Sequence, residues 1–307
     1  MTESFNANAA FIAGPTASGK SAAALMLAEK LGGEIVNADA LQVYADLDIL
    51  SARPTQGEMG AVPHHLFGFL DGAERCSAGR WAREAARVIG EIGARGRMAI
   101  VVGGTGLYFK ALEDGLSPIP AVPDEAREAA RAAFEKLGAE AFRNELVARD
   151  PGAARIAPGD RQRLTRSWEV LAATGRPFSA FQAEARAPLI APARARIVIE
   201  PEREALYAAC DARFDRMLAR GGLEEARRLR ARNLPDDLPV MKALGAAELI
   251  AHLGGALTLD EAADLARRNT KRFAKRQLTW FRNQAAGWPK AATPEAAVAA
   301  VIDALQS

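Results

Sequence analysis

The sequence is short of the residues that build disulfide frameworks and metal clusters. It has 2 cysteines and 3 histidines among 307 residues. Cys76 and Cys210 have no metal-ligand partner at short spacing and are too few for a disulfide scaffold. His64 and His65 are adjacent, so on a strand or a helix their side chains point away from each other. The composition excludes a disulfide-rich domain, and we expect no metal held by histidine or cysteine.

Long apolar runs are also lacking. No stretch approaches the roughly 20 apolar residues of a membrane span. The opening segment MTESFNANAA lacks the basic region and apolar run of a secretory leader. Hydrophobic residues make up 49% of the chain and charged residues 25%, which is typical of a soluble globular protein. We therefore expect a protein of the reducing cytoplasm with no membrane partner.

What the sequence does contain is a phosphate-binding pattern. GPTASGKS, residues 14–21, fits G-x-x-x-x-G-K-[ST]. In such a loop backbone N–H groups surround phosphate oxygens, here with Lys20 adding charge and the Ser21 hydroxyl binding Mg²⁺. The preceding AAFIAG predicts a short buried strand, and SAAALMLAEKLG predicts a helix closed by Gly32. The pattern therefore lies in the strand–loop–helix context that it requires.

Strands and helices alternate through the first third of the chain, which predicts an α/β fold with a P-loop NTPase-like core and a parallel sheet flanked by helices. GEIVNAD predicts a second strand ending at Asp39, and RMAIVVGGTG predicts a third that leads into the turn Gly103–Gly104–Thr105. Ligands of open parallel sheets bind off the carboxyl ends of the strands. Asp39 and this turn should therefore face the same crevice as the phosphate loop.

The chain changes character at SPIPAVP, residues 117–123, where three prolines interrupt the alternation. We predict a helical insertion domain over residues 120–190 and an α/β core formed by residues 1–119 and 191–307. The longest predicted helix, DEAADLARRNTKRFAKRQLTWFRNQ, follows a capping box of Thr258 and Glu261. Trp81 and Trp168 lie on apolar helical faces and are expected in the core.

The residues alone do not determine which phosphate-bearing ligand the loop binds. Many P-loop NTPases have an apolar strand ending in an aspartate that helps to hold Mg²⁺, but MAIVV ends in glycines. Asp39 instead leads into ALQVY, where a carboxylate could accept a proton from an acceptor substrate. Two enzymes fit: a nucleotide-dependent small-molecule kinase, and a transferase whose leaving group is a diphosphate.

Basic residues are clustered although the net charge is only +2. The long helix carries seven at helical spacing, interleaved with aromatic residues that could stack on bases or belong to the core. They are Arg267, Arg268, Lys271, Arg272, Lys275, Arg276 and Arg282, with Phe273, Trp280 and Phe281 between them. GDRQRLTR adds Arg161, Arg163 and Arg166 around Gln162 in the insertion, where a solvated charged face is the alternative. An RNA-binding regulator without turnover is a third possible function.

Six blocks together carry a family resemblance. They are GPTASGKS, NADALQVYADLDILSARP, PHHLFGF, VVGGTGLYFKALEDGLSPIP, DRQRLTRSWEVL and TKRFAKRQLTWFR. In order and spacing, over about residues 11–285, the chain resembles the tRNA dimethylallyltransferase (tRNA isopentenyltransferase, IPP transferase) family. The resemblance implies transfer of a dimethylallyl group from its diphosphate to N6 of adenine 37, next to the tRNA anticodon.

The resemblance also implies a role for each matching residue. Catalysis would fall to Asp39 as proton acceptor, Thr105 at the reaction channel and Lys20. Diphosphate would be bound by Gly14, Pro15, Thr16, Ala17, Ser18, Gly19, Lys20, Ser21 and Arg213, with Ser21 on Mg²⁺. The tRNA would be contacted by Asp39, Ala40, Leu41, Gln42, Thr105, Arg127, Gln162, Arg163, Leu164, Thr165 and Arg166.

The chain departs from the family pattern at a few positions. Ala40 stands where serine usually follows the aspartate, Arg53 replaces a lysine, and MKALGAAEL lacks a common tyrosine. These departures concern secondary contacts, while the phosphate loop and Asp39 are retained. No zinc-finger pattern lies near the C-terminus, which indicates the shorter bacterial form. The expected partners are tRNA, dimethylallyl diphosphate and Mg²⁺, and we expect a monomer.

Overall fold

The computed structural model of the chain describes residues 8–306 and contains a six-stranded sheet. The strands are β1 Ala9–Ala13, β2 Glu34–Asn37, β3 His64–His65, β4 Ala99–Gly103, β5 Ala195–Ile199 and β6 Lys290–Ala291. Their order is β3-β2-β4-β1-β5-β6, and every neighbouring pair is parallel. The predicted α/β fold is confirmed. The opening residues 1–7, which bear on the expected absence of a leader, lie outside the described residues.

Helices join and cover the strands. They are α1 Lys20–Leu31, α2 Gln56–Met59, α3 Ala78–Ala94, α4 Gly106–Glu113, α5 Asp124–Arg149, α6 Arg161–Thr174, α7 Phe178–Gln182, α8 Arg203–Ala219, α9 Gly222–Ala231, α10 Ala246–Leu253, α11 Leu259–Gln284 and α12 Pro294–Gln306. Short 3₁₀ helices occupy Pro151–Arg155 and Pro239–Lys242. None of the helices in residues 8–306 combines the length and the apolar character that spanning a membrane requires.

The central strands β1, β2 and β4 are buried on both faces, as strands of parallel sheets are. On one face, Ile12 and Ile100 pack against Leu27 of α1 and Val298 of α12. On the other face, Phe11 packs against Phe109 of α4, with ring centroids 5.2 Å apart. Helices therefore pack on both faces of β1 and β4 at the centre of the sheet. The loops that follow these two strands consequently start from fixed positions.

Local signals in the sequence explain several element boundaries. Helix α1 ends at Leu31 and is closed by Gly32, as predicted; Gly32 has a left-handed φ of 61°. Thr258 and Glu261 form the predicted capping box at the start of α11. Trp81 is buried as expected, and its indole N–H donates to the carbonyl of Asn37 at 2.9 Å. Strand β2, however, ends at Asn37 rather than at Asp39, which lies in the following loop.

The described residues fall into two compact units. Residues up to Glu113 and from Pro188 onward form the first unit, and Asp114–Ala187 form the second. The second unit is helical and has its own core, in which the rings of Phe142 and Trp168 stack 4.5 Å apart. The predicted domain boundaries at residues 120 and 190 stay a prediction.

Candidate active site

The phosphate loop lies between β1 and α1, at the carboxyl edge of the sheet. Residues 14–19 form the loop, and Lys20 and Ser21 begin the helix. The Lys20 ammonium turns back to donate to the carbonyl of Pro15 at 3.2 Å. The backbone N–H of Thr16 is bound by Gln277 of α11 at 2.8 Å. The loop is thus held both from within and from a distant helix.

Two cations meet at this loop without a carboxylate at ion-pair distance among the described residues. Burial lowers the pKa of Lys20 to about 8 and also lowers the pKa of Arg213. Arg213 donates to the hydroxyl of Thr16 at 2.6 Å and to the carbonyl of Ser51 at 3.3 Å. A desolvated cation is stabilised by an anion beside it. Two buried cations side by side therefore favour an anionic ligand at this loop.

A cavity of about 380 Å³ opens beside the loop. Its polar wall includes Lys20, Ser21, Gln42 and Arg213, and its apolar wall includes Leu25, Ile49, Phe67 and Met217. A cavity with one cationic wall and one apolar wall suits a ligand that has a charged head and a hydrocarbon tail.

Asp39 lies in the loop after β2, where the backbone fixes its position. Its Oδ1 accepts the N–H of Leu41 at 3.0 Å, and its own N–H donates to Asn37 Oδ1 at 2.8 Å. The carboxylate is partly exposed and lines a narrow cleft together with Thr16, Arg213 and Phe273. The prediction that Asp39 faces the same crevice as the phosphate loop is met by this cleft.

Thr105 supports the Asp39 loop from the end of β4. Its hydroxyl accepts the N–H of Ala40 at 3.0 Å, and its backbone N–H donates to the carbonyl of Ala38 at 3.2 Å. A Cβ added to Gly103 would lie 2.0 Å from the carbonyl oxygen of Ala38. Glycine at position 103 is therefore what permits the turn to pack directly on the backbone beside Asp39.

Gln42 is committed to the structure of its own loop. Its side-chain amide donates to the carbonyls of Ser51 and Ala52 at 3.1 and 2.9 Å. Ser51 is also the residue whose carbonyl accepts from Arg213. Gln42 thus helps to place a wall of the cavity, whereas its contact with tRNA stays a prediction, as do those of Ala40 and Leu41.

The predicted tRNA contacts of the second unit lie on α6 and at the start of α5. Gln162 and Arg163 are exposed, while Arg166 lies 3.3 Å from the carboxylate of Glu169. Leu164 is fully buried in the core of the unit and Thr165 is 9% exposed. Side-chain contact with tRNA in this stretch would therefore come from the residues on either side. Arg127, at the start of α5, donates to the carbonyl of Val122 at 3.1 Å.

The basic face of α11 divides into paired and exposed residues. Arg267 pairs with Asp215, Lys271 with Asp211, and Arg282 with Glu200. Four others are at least partly exposed: Arg268, Arg272, Lys275 and Arg276. Of the aromatic residues, Phe281 is buried, whereas Phe273 and Trp280 are partly exposed.

Two buried side chains that hold loops in place, the carboxamide of Gln277 and the carboxylate of Glu225, were not identified from the sequence. Gln277 is 6% exposed, and its amide also donates to the carbonyl of Gly104 at 2.9 Å. Glu225 is 1% exposed and accepts the backbone N–H groups of residues 48, 49 and 50. A lone polar residue on the apolar face of a predicted helix is the signal that could have identified them.

The side chains of the phosphate loop offer hydroxyl groups, rather than carboxylates, to a hard divalent cation. In residues 8–306 no cluster of three or more histidine, cysteine, aspartate or glutamate residues could hold a metal ion. The Ser21 hydroxyl lines the cavity, and the Ser18 hydroxyl is buried without a hydrogen-bond partner in the described structure. Mg²⁺ often takes most of its ligands from substrate phosphates and water, so a few hydroxyl groups are a compatible donor set.

Comparison with known proteins identifies the family to which the chain is similar. The chain matches the family model "IPP transferase" over residues 42–284 and "Isopentenyl transferase" over residues 7–65. It is 56% identical to a tRNA dimethylallyltransferase of Phenylobacterium zucineum, with 91% of each chain covered, and 53% identical to one of a Bradyrhizobium species, with 90% of this chain and 91% of the other covered.

Solved structures agree with the sequence comparison. The tRNA isopentenylpyrophosphate transferase from Bacillus halodurans superposes with a TM-score of 0.70 at 33% identity, covering 97% of this chain and 96% of that one. A eukaryotic dimethylallyltransferase acting on tRNA gives 0.75 at 27% identity, covering 93% and 74%. The resemblance predicted from the sequence is thereby confirmed, and the chain belongs to the IPP transferase family, that of the tRNA dimethylallyltransferases.

Proposed function

We propose that the chain transfers a dimethylallyl group from dimethylallyl diphosphate to N6 of adenine 37, adjacent to the anticodon of tRNA. The observation that carries the proposal is the crevice at the carboxyl edge of the sheet. Lys20 and Arg213, two cations held together, lie beside a partly apolar cavity and beside Asp39. Such a transfer requires cations that stabilise the leaving diphosphate and a group that accepts the proton of N6. Lys20 and Arg213 would fill the first role, and Asp39 the second.

The diphosphate is assigned to the phosphate loop. Residues Thr16–Ser21 would surround its oxygens with backbone N–H groups, and Lys20 and Arg213 would offset charge that grows on the leaving group. Bound Mg²⁺, with Ser21 among its ligands, would supply further charge neutralisation at those oxygens. The dimethylallyl tail would face the apolar wall formed by Leu25, Ile49 and Phe67.

The proton is assigned to Asp39. In the reaction the C1–O bond of dimethylallyl diphosphate breaks, its electron pair leaves with diphosphate, and the N6–C1 bond forms. The N6 proton moves to the Asp39 carboxylate. The lone pair of N6 is delocalised into the adenine ring, so an acceptor for its proton helps most while the new bond forms. Thr105 would hold the Asp39 loop in position through the N–H of Ala40.

The tRNA must present an unstacked adenine to this crevice, because an adenine stacked in the anticodon loop cannot reach Asp39. We assign the flanking nucleotides to residues 39–42 in the first unit and to Arg127 and residues 162–166 in the second. Because its proposed substrate is a tRNA, we place the protein in the cytoplasm. We further propose that it acts as a monomer.

The proposal is tested by incubating the protein with dimethylallyl diphosphate, Mg²⁺ and unmodified tRNA, followed by nucleoside analysis. We expect N6-(dimethylallyl)adenosine at a single position next to the anticodon. A nucleotide-dependent small-molecule kinase would instead consume ATP and transfer its γ-phosphate, which labelled ATP detects. An RNA-binding regulator would bind tRNA without any turnover. Because both functions predict that Lys20→Ala still binds tRNA, the absence of turnover in the wild type is the result that identifies a regulator.

A further inference from the structure

Gln277 is a buried amide with a hydrogen bond to each of two catalytic loops. It lies on α11 among the buried residues Ala274, Leu278 and Phe281 and is 6% exposed. Its Oε1 accepts the N–H of Thr16 at 2.8 Å, and its Nε2 donates to the carbonyl of Gly104 at 2.9 Å. A backbone N–H only donates and a carbonyl only accepts, so the two partners fix the orientation of the amide.

The two bonds end on the groups to which the proposed function assigns the leaving group and the proton. Thr16 belongs to the phosphate loop and binds Arg213 through its hydroxyl. Gly104 precedes Thr105, which binds the N–H of Ala40 beside Asp39. The side chain therefore joins the diphosphate cradle to the turn that supports the proton acceptor.

The space around Gln277 is closed. A Cβ added to Gly104 would lie 2.2 Å from Nε2 of Gln277 and 3.2 Å from the carbonyl oxygen of Gly14. Glycine at position 104 is therefore what lets the amide reach both loops. Buried polar groups are costly unless satisfied, so this pair of bonds constrains the separation of the loops more strongly than an apolar contact would.

We infer that Gln277 is a positioning residue that sets the separation between the diphosphate cradle and the Asp39 support, and so aligns the allylic carbon with N6. The inference rests on the proposed function. Reacting groups must be held within a fraction of an ångström, and a displacement of about 1 Å can cost ~10²-fold in rate. A residue that never contacts the substrate can therefore control the rate.

The test uses Gln277→Met, which keeps the length and volume of the side chain but removes both hydrogen bonds. We expect kcat to fall by about 10- to 100-fold and the KM for dimethylallyl diphosphate to rise, while tRNA affinity stays unchanged. Gln284→Met is the matched control, because Gln284 is exposed on the same helix. The control should keep the wild-type values.

A merely structural role gives a different pattern: a lower melting temperature, with kcat and KM per folded molecule equal to those of the wild type. That result would overturn the inference. If Gln277→Met fails to fold, Gly104→Ala provides a second test, because the new methyl group displaces the amide without altering it. Gly104→Ala should lower kcat, and adding Gln277→Ala to it should cost little more, since the two substitutions break one linkage.

Failure of the inference is distinguishable from failure of the proposed function. A wild-type protein that forms no prenylated nucleoside contradicts the function itself. A wild-type protein that is active, with fully active Gln277→Met and additive effects of Gly104→Ala and Gln277→Ala, contradicts only the positioning role.

Discussion

The two ends of strand β2 carry carboxylates in opposite situations. Glu34, at its start, has a side chain that is 3% exposed and pairs with His65, Arg95 and Arg97 at 2.7, 2.7 and 3.3 Å. Asp39, just after its end, is partly exposed, and among residues 8–306 no cation lies within ion-pair distance of it. The charge of Glu34 is committed to holding the sheet, whereas that of Asp39 is held in place by the backbone and left available to a ligand.

The same contrast extends to the cations. The arginines around Glu34 are paired, and hydrogen bonding to Glu34 raises the pKa of Arg95. At the other edge, burial lowers the pKa values of Lys20 and Arg213. Lys20 and Arg213 are desolvated without a counter-ion at ion-pair distance in the described part of the chain, so an incoming anion that pairs with them is bound favourably. The comparison therefore predicts that substitutions at the carboxyl edge affect catalysis, and that substitutions at the amino edge affect stability.

The largest effect is expected for Lys20→Ala. Turnover should fall by about 10³-fold, because the growing charge on the leaving diphosphate loses one of the two cations at the loop. Binding of tRNA, measured by gel shift, should be retained. Because burial lowers the pKa of Lys20 to about 8, the wild-type affinity for dimethylallyl diphosphate should fall as the pH rises through 8, when the ammonium loses its proton. Near-normal turnover of the variant would remove Lys20 from the mechanism.

Asp39→Asn should have the next largest effect. The amide keeps the hydrogen bond to the N–H of Leu41 but is a far poorer base, so single-turnover rates should fall by ~10²-fold or more. Affinities for tRNA and dimethylallyl diphosphate should change little. If Asp39 only caps its turn, stability falls and the rate per folded molecule stays nearly intact; a rate loss below about threefold would contradict general-base catalysis.

Glu34→Gln should change stability instead. Removing the charge weakens bonds to three cationic or ionisable partners and should lower the free energy of unfolding by about 2 kcal/mol. Burial raises the pKa of Glu34, but hydrogen bonds from Arg95 and His65, together with their charges, outweigh burial and keep this pKa below its usual value of 4.5. The stability from this group is therefore present above pH 4.5 and is lost as the pH falls through the folded-state pKa. Denaturant unfolding at pH 7 and at pH 3 should show a gap between wild type and variant that narrows in acid; an equal gap at both would contradict the assignment.

The smallest effect is expected for the arginines of α6 in the second unit. Replacing Arg161, Arg163 and Arg166 with glutamine should weaken tRNA binding and lower its salt dependence by roughly one unit of slope for each phosphate that is no longer neutralised. Binding of dimethylallyl diphosphate should not change. Arg186→Gln, which removes an exposed arginine elsewhere in the unit, is the control. An unchanged salt slope in the triple variant would make the cluster a solvated face.

The sequence was sufficient where a local pattern carries the signal. The phosphate loop, the closure of α1 by Gly32 and the capping box of Thr258 and Glu261 are encoded within a few residues, and each was predicted. Strands β3 and β6 were missed because two residues each are too short to show a period. The end of β2 was placed two residues too late, because Ala38 and Asp39 continue the strand pattern while the backbone has already left the sheet.

The site was predictable only in part, for a related reason. Lys20, Ser21 and Asp39 lie in motifs whose chemistry can be inferred from residue type and spacing. Gln277 acts across 261 residues of sequence separation from Thr16, and no local pattern reports such a contact. Leu164 shows the converse. Residues 162–166 were predicted as a whole to contact tRNA, and only the packing of the structure reveals that the side chain of Leu164 is buried.

The most direct test of the account measures two variants side by side, Asp39→Asn and Glu34→Gln. For each, the single-turnover rate of dimethylallyl transfer to tRNA and the melting temperature are determined on the same preparation. We expect Asp39→Asn to lower the rate and keep the melting temperature, and Glu34→Gln to lower the melting temperature and keep the rate per folded molecule. If both variants lose the two properties together, or if the pattern is reversed, the division between a catalytic and a structural end of β2 is contradicted.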